Sequence, residues 1–209
     1  MKISLSGIQV NLPDTGQTLF RLKQFSVDSG QKVLLRGESG KGKTTLLHLI
    51  AGLFRPATGE VDVGGDKISS WSDEARCAFR RRHMGMVFQK LNLIEHLTAL
   101  ENVGLACASE QRAADALASV GLEKKIHSRS SVLSLGEQQR VAVARVLAGD
   151  AQLILADEPT SALDEKNAAN VMELLFKAAK NKTLLVVSHD HRIEANFDSN
   201  VQFENVVQR

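Results

Sequence analysis

The sequence is poor in the residues that would point to an extracellular, membrane-spanning or nucleic-acid-binding chain. Three prolines and no tyrosine occur in 209 residues, and no proline-rich linker, internal repeat or low-complexity tract is present. The two cysteines, Cys77 and Cys107, have neither pairing nor ligand spacing, which suits a reducing compartment. No apolar run approaches the roughly 18–20 residues needed to cross a bilayer. The opening M-K-I-S-L-S-G-I-Q-V alternates like a strand and lacks the apolar core and cleavage site of a signal peptide. Lys plus Arg is 26 against 24 for Asp plus Glu, a formal charge of only +2. That balance is no nucleic-acid footprint, which needs a strongly basic face. A cytoplasmic chain is expected, and any membrane role then requires a separate membrane partner.

What is present is enough for one large domain, or one domain with an inserted lobe. A chain of this length buries roughly 70% of its unfolded surface and needs no disulfide or metal staple. Lys32–Arg36 reads as a buried strand feeding a glycine loop, followed by a helix over Thr45–Ala51 that stops at Gly52. Gly59–Asp66 alternates before a Gly-Gly turn and suggests an edge hairpin. Ser72 caps a helix with Asp73 and Glu74 in its first turn and Arg80–Arg82 at its end, read as a solvated, dipole-complementing surface. Leu91–Val132 reads as all helical. Leu153–Asp157 and Leu184–His189 read as strands around a helix containing A-A-N-V-M-E-L-L-F-K-A-A. Strand and helix alternating around a helical insert predict an α/β fold with a mostly parallel sheet, an antiparallel β edge subdomain and a helical lobe.

The chemistry is concentrated in two stretches. Gly37–Thr44 reads G-E-S-G-K-G-K-T and matches G-x-x-x-x-G-K-[ST] between a predicted strand and a predicted helix. The glycines let successive N–H groups face phosphate oxygens, Lys43 adds a point charge, and the Thr44 hydroxyl can ligate Mg²⁺. The strand L-I-L-A-D then ends in two acids. Asp157 would hold Mg²⁺ directly or through water, and Glu158 would accept a proton from an attacking water. A second anion-suited stretch, S-S-V-L-S-L-G-E-Q-Q-R, opens another helix about ninety residues after the first.

Taken in order, Gly37–Thr44, Gln89, Leu133–Arg140, Asp157–Glu158, Ser161–Asp164 and His189 resemble the motifs of an ATP-binding-cassette ATPase. The segment R-R-R-H-M-G-M-V-F-Q-K-L-N-L-I-E-H-L-T-A-L-E-N-V is most similar to the lipoprotein-release, macrolide-export and cell-division cassettes. The resemblance implies a P-loop NTPase core over 1–89 and 141–209, with the lobe over about 90–140. It implies ATP and Mg²⁺ as ligands. Nucleotide contacts would come from Gly37, Glu38, Ser39, Gly40, Lys41, Gly42, Lys43, Thr44 and Thr45. Two copies would pair head to tail, so that Ser134, Gly136 and Glu137 of one copy meet the nucleotide held by the other. Asp164 would lie at that interface. Glu158 would be the general base, His189 would orient it and touch the γ-phosphate, and Gln89 would join Thr44 and Asp157 at the metal. A separately encoded transmembrane permease is the implied second partner, holding the protein at the cytoplasmic face of the membrane.

Two departures from the family pattern stand out. Where L-S-G-G-Q is usual, this chain has Leu135 at the third position and Glu137 at the fifth, which predicts a working but slower site. No aromatic residue precedes Phe20, so the usual adenine-stacking ring is missing and only Leu12 or Pro13 offers apolar contact. Weak discrimination between ATP and GTP is expected. Other readings are a cassette that signals through a membrane protein, a phosphotransferase, a GTPase switch, and a soluble repair or translation cassette. An N-K-x-D-like base-reading motif is missing, against the GTPase switch. The chain also lacks the long insertions or second cassette of the soluble kind.

Overall fold

The computed structural model describes residues 1–12, 15–161 and 163–208. Its elements, in chain order, are β1 (Ile3–Asn11), β2 (Thr18–Val27), β3 (Lys32–Arg36), α1 (Lys43–Ile50), β4 (Thr58–Val63), α2 (Asp73–His83) and β5 (Met84–Val87). Then follow α3 (Ala99–Gly104), α4 (Glu110–Ser119), α5 (Leu135–Ala148), β6 (Leu153–Asp157), α6 (Glu165–Ala178), β7 (Thr183–Ser188), β8 (Ser199–Gln202), α7 (Phe203–Val206) and β9 (Val207–Gln208).

Two sheets organise them. One is fully parallel, in the order β5-β6-β7-β3-β8; the other is antiparallel, in the order β4-β1-β2-β9. The central strands β6 and β7 are buried at every residue, and β3 at its three middle residues, because both faces of the sheet are covered there. Their period-2 alternation divides them between two cores. Leu35, Leu153, Leu155, Leu185 and Val187 pack with α1 and the antiparallel sheet, whereas Leu34, Ile154, Ala156, Leu184 and Val186 pack with α5 and α6. The order places β3, β6 and β7 side by side, so the loops at their carboxyl ends converge where an open α/β sheet binds its ligand.

A third cluster, built from α3, α4 and one side of α5, forms the helical lobe. α5 belongs to two cores at once: Val141, Ala144 and Ala148 face the lobe, while Ala142, Val143 and Val146 face the sheet. The lobe and the sheet are therefore joined through α5, which is buried on both sides.

Several elements depart from the sequence reading. α1 begins at Lys43 rather than Thr45, because Gly42 (φ 106°) ends the loop in the left-handed region and offers no capping side chain to mark the start. The β-structure near Gly59–Asp66 is the edge strand β4, paired with β1; its Gly-Gly turn closes only on a single Val63–Asp66 bridge. The expected antiparallel edge subdomain is present, as a four-stranded sheet of its own. Leu91–Val132 is not continuously helical: its first eight residues contain no helix, and single 3₁₀ turns at Glu123–Lys125 and Ser130–Val132 follow α4. Arg80 is not merely solvated, since its guanidinium donates to the Gly52 carbonyl (2.8 Å) and ties α2 to the end of α1. β7 ends at Ser188, leaving His189 just beyond it.

Candidate functional site

The glycine loop between β3 and α1 folds over an aromatic base. A Cβ on Gly42 would stand 3.0 Å from the Phe20 ring, and that ring meets Phe203 edge to face at 5.6 Å. Phe20 is fully buried, so its packing energy supports the loop while the ring is closed to any ligand. Gly40 (φ 74°) and Gly42 take backbone angles that a side chain would strain, and the loop can therefore curl with its N–H groups inward. Ser39 is exposed, Thr45 is half-buried on α1, and Glu38 pairs with Lys41 at 3.1 Å.

Lys43 lies inside this curl and is only 6% exposed. Its ammonium donates to the carbonyls of Gly37 (2.7 Å) and Glu38 (2.8 Å) and stands 3.9 Å from Glu158 Oε1. A buried cation held by neutral carbonyls and a nearby carboxylate is suited to exchange those partners for phosphate oxygens.

The next helical residue, Thr44, donates its hydroxyl to Asp157 Oδ1 at 3.0 Å, joining α1 to the end of β6. Asp157 is buried, and burial raises its pKa above the ordinary carboxylate value despite the Thr44 hydrogen bond and the nearby His48 and Lys43. His48, one turn beyond Thr44, is pushed down by burial, and its ring lies 6.0 Å from that of Phe88. A hydroxyl and a carboxylate side by side are hard oxygen donors. Mg²⁺ keeps several waters and takes one or two such protein ligands besides phosphate oxygens, so the pair fits that ion.

Glu158 follows in a left-handed conformation (φ 46°), with its N–H still bonded to the Val187 carbonyl (2.9 Å). Such a conformation in a non-glycine residue costs energy and persists only where its surroundings enforce it. Three groups do so. The Ser188 hydroxyl donates to Oε2 at 2.8 Å, the His189 N–H approaches the same oxygen at 3.4 Å, and His189 Nδ1 lies 2.8 Å from Oε1. A carboxylate only accepts, so this contact puts the imidazole proton on Nδ1 and leaves Nε2 as an acceptor when the ring is neutral.

Sequence reasoning passed over a further layer of this network. The buried Thr160 hydroxyl donates to Asp190 Oδ2 (2.8 Å), and Arg192 forks onto Asp190 while also donating to the Leu163 carbonyl (3.3 Å). Hydrogen bonds from Arg192 hold Asp190 far below the usual carboxylate range. The loop after β6 is thereby fastened to the loop after β7. Gln139, buried on α5, donates to the Pro159 carbonyl at 2.6 Å and fastens the same loop to that helix. Arg192 and Asp190 are two positions apart, but the Thr160–Asp190, Arg192–Leu163 and Gln139–Pro159 contacts each span twenty or more positions, and no local pattern announces them.

The second anion-suited stretch is a reciprocal cap. Ser134 is the N-cap of α5: its hydroxyl accepts from the Glu137 N–H (3.4 Å), while Glu137 Oε2 accepts from the Ser134 N–H (2.9 Å). Gly136 faces Asn167 of α6 in ordinary contact. Asp164 is the N-cap of α6, accepts from the Asn167 N–H (2.9 Å), and is held below its usual pKa chiefly by that bond. Ala162, in the same S-A-L-D stretch, and Pro13 lie outside the described residues. Leu135 and Val132 project apolar side chains, 47% and 72% exposed, beside the Ser134 cap. Gln89 is exposed just past β5 and shares a cavity of about 410 Å³ with Leu135 and Gln138. None of the hydrogen bonds made by Lys43, Thr44, Asp157 or Glu158 reaches Ser134 or Glu137.

Residues 21–161 match the ABC transporter family model. The chain is 40% identical over 192 residues to the lipoprotein-releasing system ATP-binding protein LolD of Psychrobacter arcticus, covering 87% of this chain and 85% of that one. It is 37% identical over 204 residues to the macrolide export ATP-binding/permease protein MacB of Photorhabdus laumondii, covering 92% of this chain but only 32% of that protein. It also resembles the ATP-binding cassette MJ0796, solved as a dimer in a post-hydrolysis state with ADP and Pi. There the TM-score is 0.86 at 34% identity, over 96% of this chain and 93% of that one. The chain that brings together the buried Lys43, the Thr44–Asp157 pair and the restrained Glu158 thus belongs to the ABC transporter family.

Proposed function

We propose that two copies of this chain pair head to tail around two ATP molecules and pull on a separately encoded membrane permease from its cytoplasmic face. Each ATP would be held by Gly37–Thr45 of one copy and by Ser134, Gly136 and Glu137 of the other, with Asp164 at the joint. The observation that carries the reading is the Glu158 cluster. A strained carboxylate, bonded to Ser188 and His189, stands 3.9 Å from the lysine of the glycine loop.

In this mechanism Lys43 gives up the Gly37 and Glu38 carbonyls for the β- and γ-phosphate oxygens. Thr44, Asp157 and Gln89 would hold Mg²⁺, which supplies charge neutralisation at those oxygens. Glu158 takes a proton from a water molecule as the oxygen of that water bonds to the γ-phosphorus. The bond to the bridging oxygen breaks, and ADP leaves with the electron pair. His189 keeps Glu158 aimed by donating from Nδ1, and its Nε2 edge is available toward the phosphate. Closure driven by ATP requires that nucleotide bind the paired state better than the separate chains. Among the described residues no helix is long and apolar enough to cross a membrane, so the permease must be another chain or segment.

Glu158→Gln tests the reading. Turnover should fall by about 100-fold or more, the scale of a lost general base, while MgATP shifts the variant from monomer to dimer on size exclusion. Ser134→Arg added to that variant should abolish pairing and leave nucleotide binding by the monomer. Normal turnover in the first variant removes Glu158 as the base, and pairing in the double variant removes the composite site.

A further inference from the structure

Glu137 presents a difficulty for a site meant to receive a triphosphate. Its carboxylate sits in the first turn of α5, beside the N–H groups that would face a phosphate. A carboxylate there steadies the helix, yet the same negative charge repels an incoming anion. The structure contains the remedy. Glu137 Oε1 accepts a 2.5 Å hydrogen bond from the ammonium of Lys125, while Oε2 stays on the Ser134 N–H.

Lys125 belongs to the 3₁₀ turn Glu123–Lys125 that follows α4, so the bond runs across the lobe rather than along α5. The two side chains are 48% and 16% exposed. A pair between two fully solvated groups would be worth little, but here the acceptor is mostly covered and is fixed by a second bond. That Lys125 bond is the foremost reason that Glu137 is held below its ordinary pKa. The bonds from Lys125 and from the Ser134 N–H both favour the ionised carboxylate, the form whose charge Lys125 offsets.

We propose that Lys125 is a positioning residue of the trans phosphate site. It neutralises Glu137 so that the Ser134 end of α5 can accept the triphosphate held by a second copy of this chain. The proposal rests on the composite-site reading above and adds to it a residue outside the motifs. Two sites form per dimer, so the effect enters twice.

The test uses the Glu158→Gln protein as parent and follows dimer fraction by sedimentation velocity against MgATP at about 50 mM salt. Lys125→Ala should need about five- to twentyfold more MgATP for half-maximal pairing. That defect should shrink at about 0.5 M salt, where the Debye length falls to a few ångströms. Lys125→Arg should stay within about twofold of the parent, since it keeps the charge and a donor. Lys125→Ala with Glu137→Gln should need no more MgATP than Glu137→Gln alone, because the charge needing a partner is gone. A lobe-stabilising role would leave the defect in the double variant and make it indifferent to salt. An unchanged midpoint in Lys125→Ala, or a double variant as impaired as Lys125→Ala, overturns the proposal while the composite site stands. A parent that shows no ATP-dependent pairing overturns both.

Discussion

The Ser188 hydroxyl and the Glu158 carboxylate, thirty residues apart, meet in a buried 2.8 Å hydrogen bond at the ends of two adjacent parallel strands. Glu158 Oε2 has this bond and a longer one from the His189 N–H, so the serine fixes the carboxylate's plane. Ser188→Ala should lower kcat about tenfold, the cost of a misaimed base, with KM for ATP within about twofold. Steady-state kinetics at saturating Mg²⁺ checks this. A change confined to KM would mean that the serine serves binding instead.

Asp157 predicts a pH-dependent gain in stability when its charge is removed. Its folded pKa is raised by burial, so the native state binds the proton more readily than the unfolded state does. Stability therefore falls as pH rises through that raised pKa, and the full penalty is felt above it. Asp157→Asn should melt higher than the parent by roughly 2–4 °C at pH 8, equivalent to about 1 kcal/mol at this size. The difference should narrow as pH falls through the raised pKa and close below the ordinary carboxylate value. With MgATP present the order should reverse, because only the carboxylate gains from the cation. Thermal melts at several pH values, with and without MgATP, decide it.

Phe20 accounts for the expected weakness of base selection. It is the first aromatic in the chain, and it is buried beneath Gly42 against Phe203 instead of standing free beside the loop. Leu12, 38% exposed, is the apolar side chain left among the described residues before β2. Base stacking contributes roughly 1–3 kcal/mol where present, so its loss should leave ATP preferred over GTP by less than about tenfold. Competition binding with the two nucleotides measures the ratio, and a larger preference would require a base contact not yet assigned.

The parts of this molecule legible in its sequence are those with local causes. β3 and β6 could be bounded to the residue because each is an apolar run ended by a glycine loop or a carboxylate. The Ser72 cap of α2 was equally plain, its hydroxyl accepting from the Ala75 N–H. Where the cause is distant, the pattern is silent. Nothing in V-Q at the carboxyl end foretells that β9 pairs with β2, because the pairing depends on the whole antiparallel sheet being formed. Trp71 packs edge to face on Phe79 with ring centroids 5.5 Å apart, a contact that no local pattern marks. The glycine loop and the two acids after β6 could be picked out from spacing. Ser188, Thr160, Asp190, Arg192 and Lys125, which restrain them or their counterpart on α5, could not.

The account turns on whether one chain can finish the reaction unaided. ATPase rate per chain should be measured over about a 100-fold dilution at saturating MgATP, with dimer fraction followed in parallel by light scattering. If Ser134 serves its neighbour's nucleotide, the rate per chain should fall in proportion to the dimer fraction. A rate per chain that stays constant while the population becomes monomeric would contradict it.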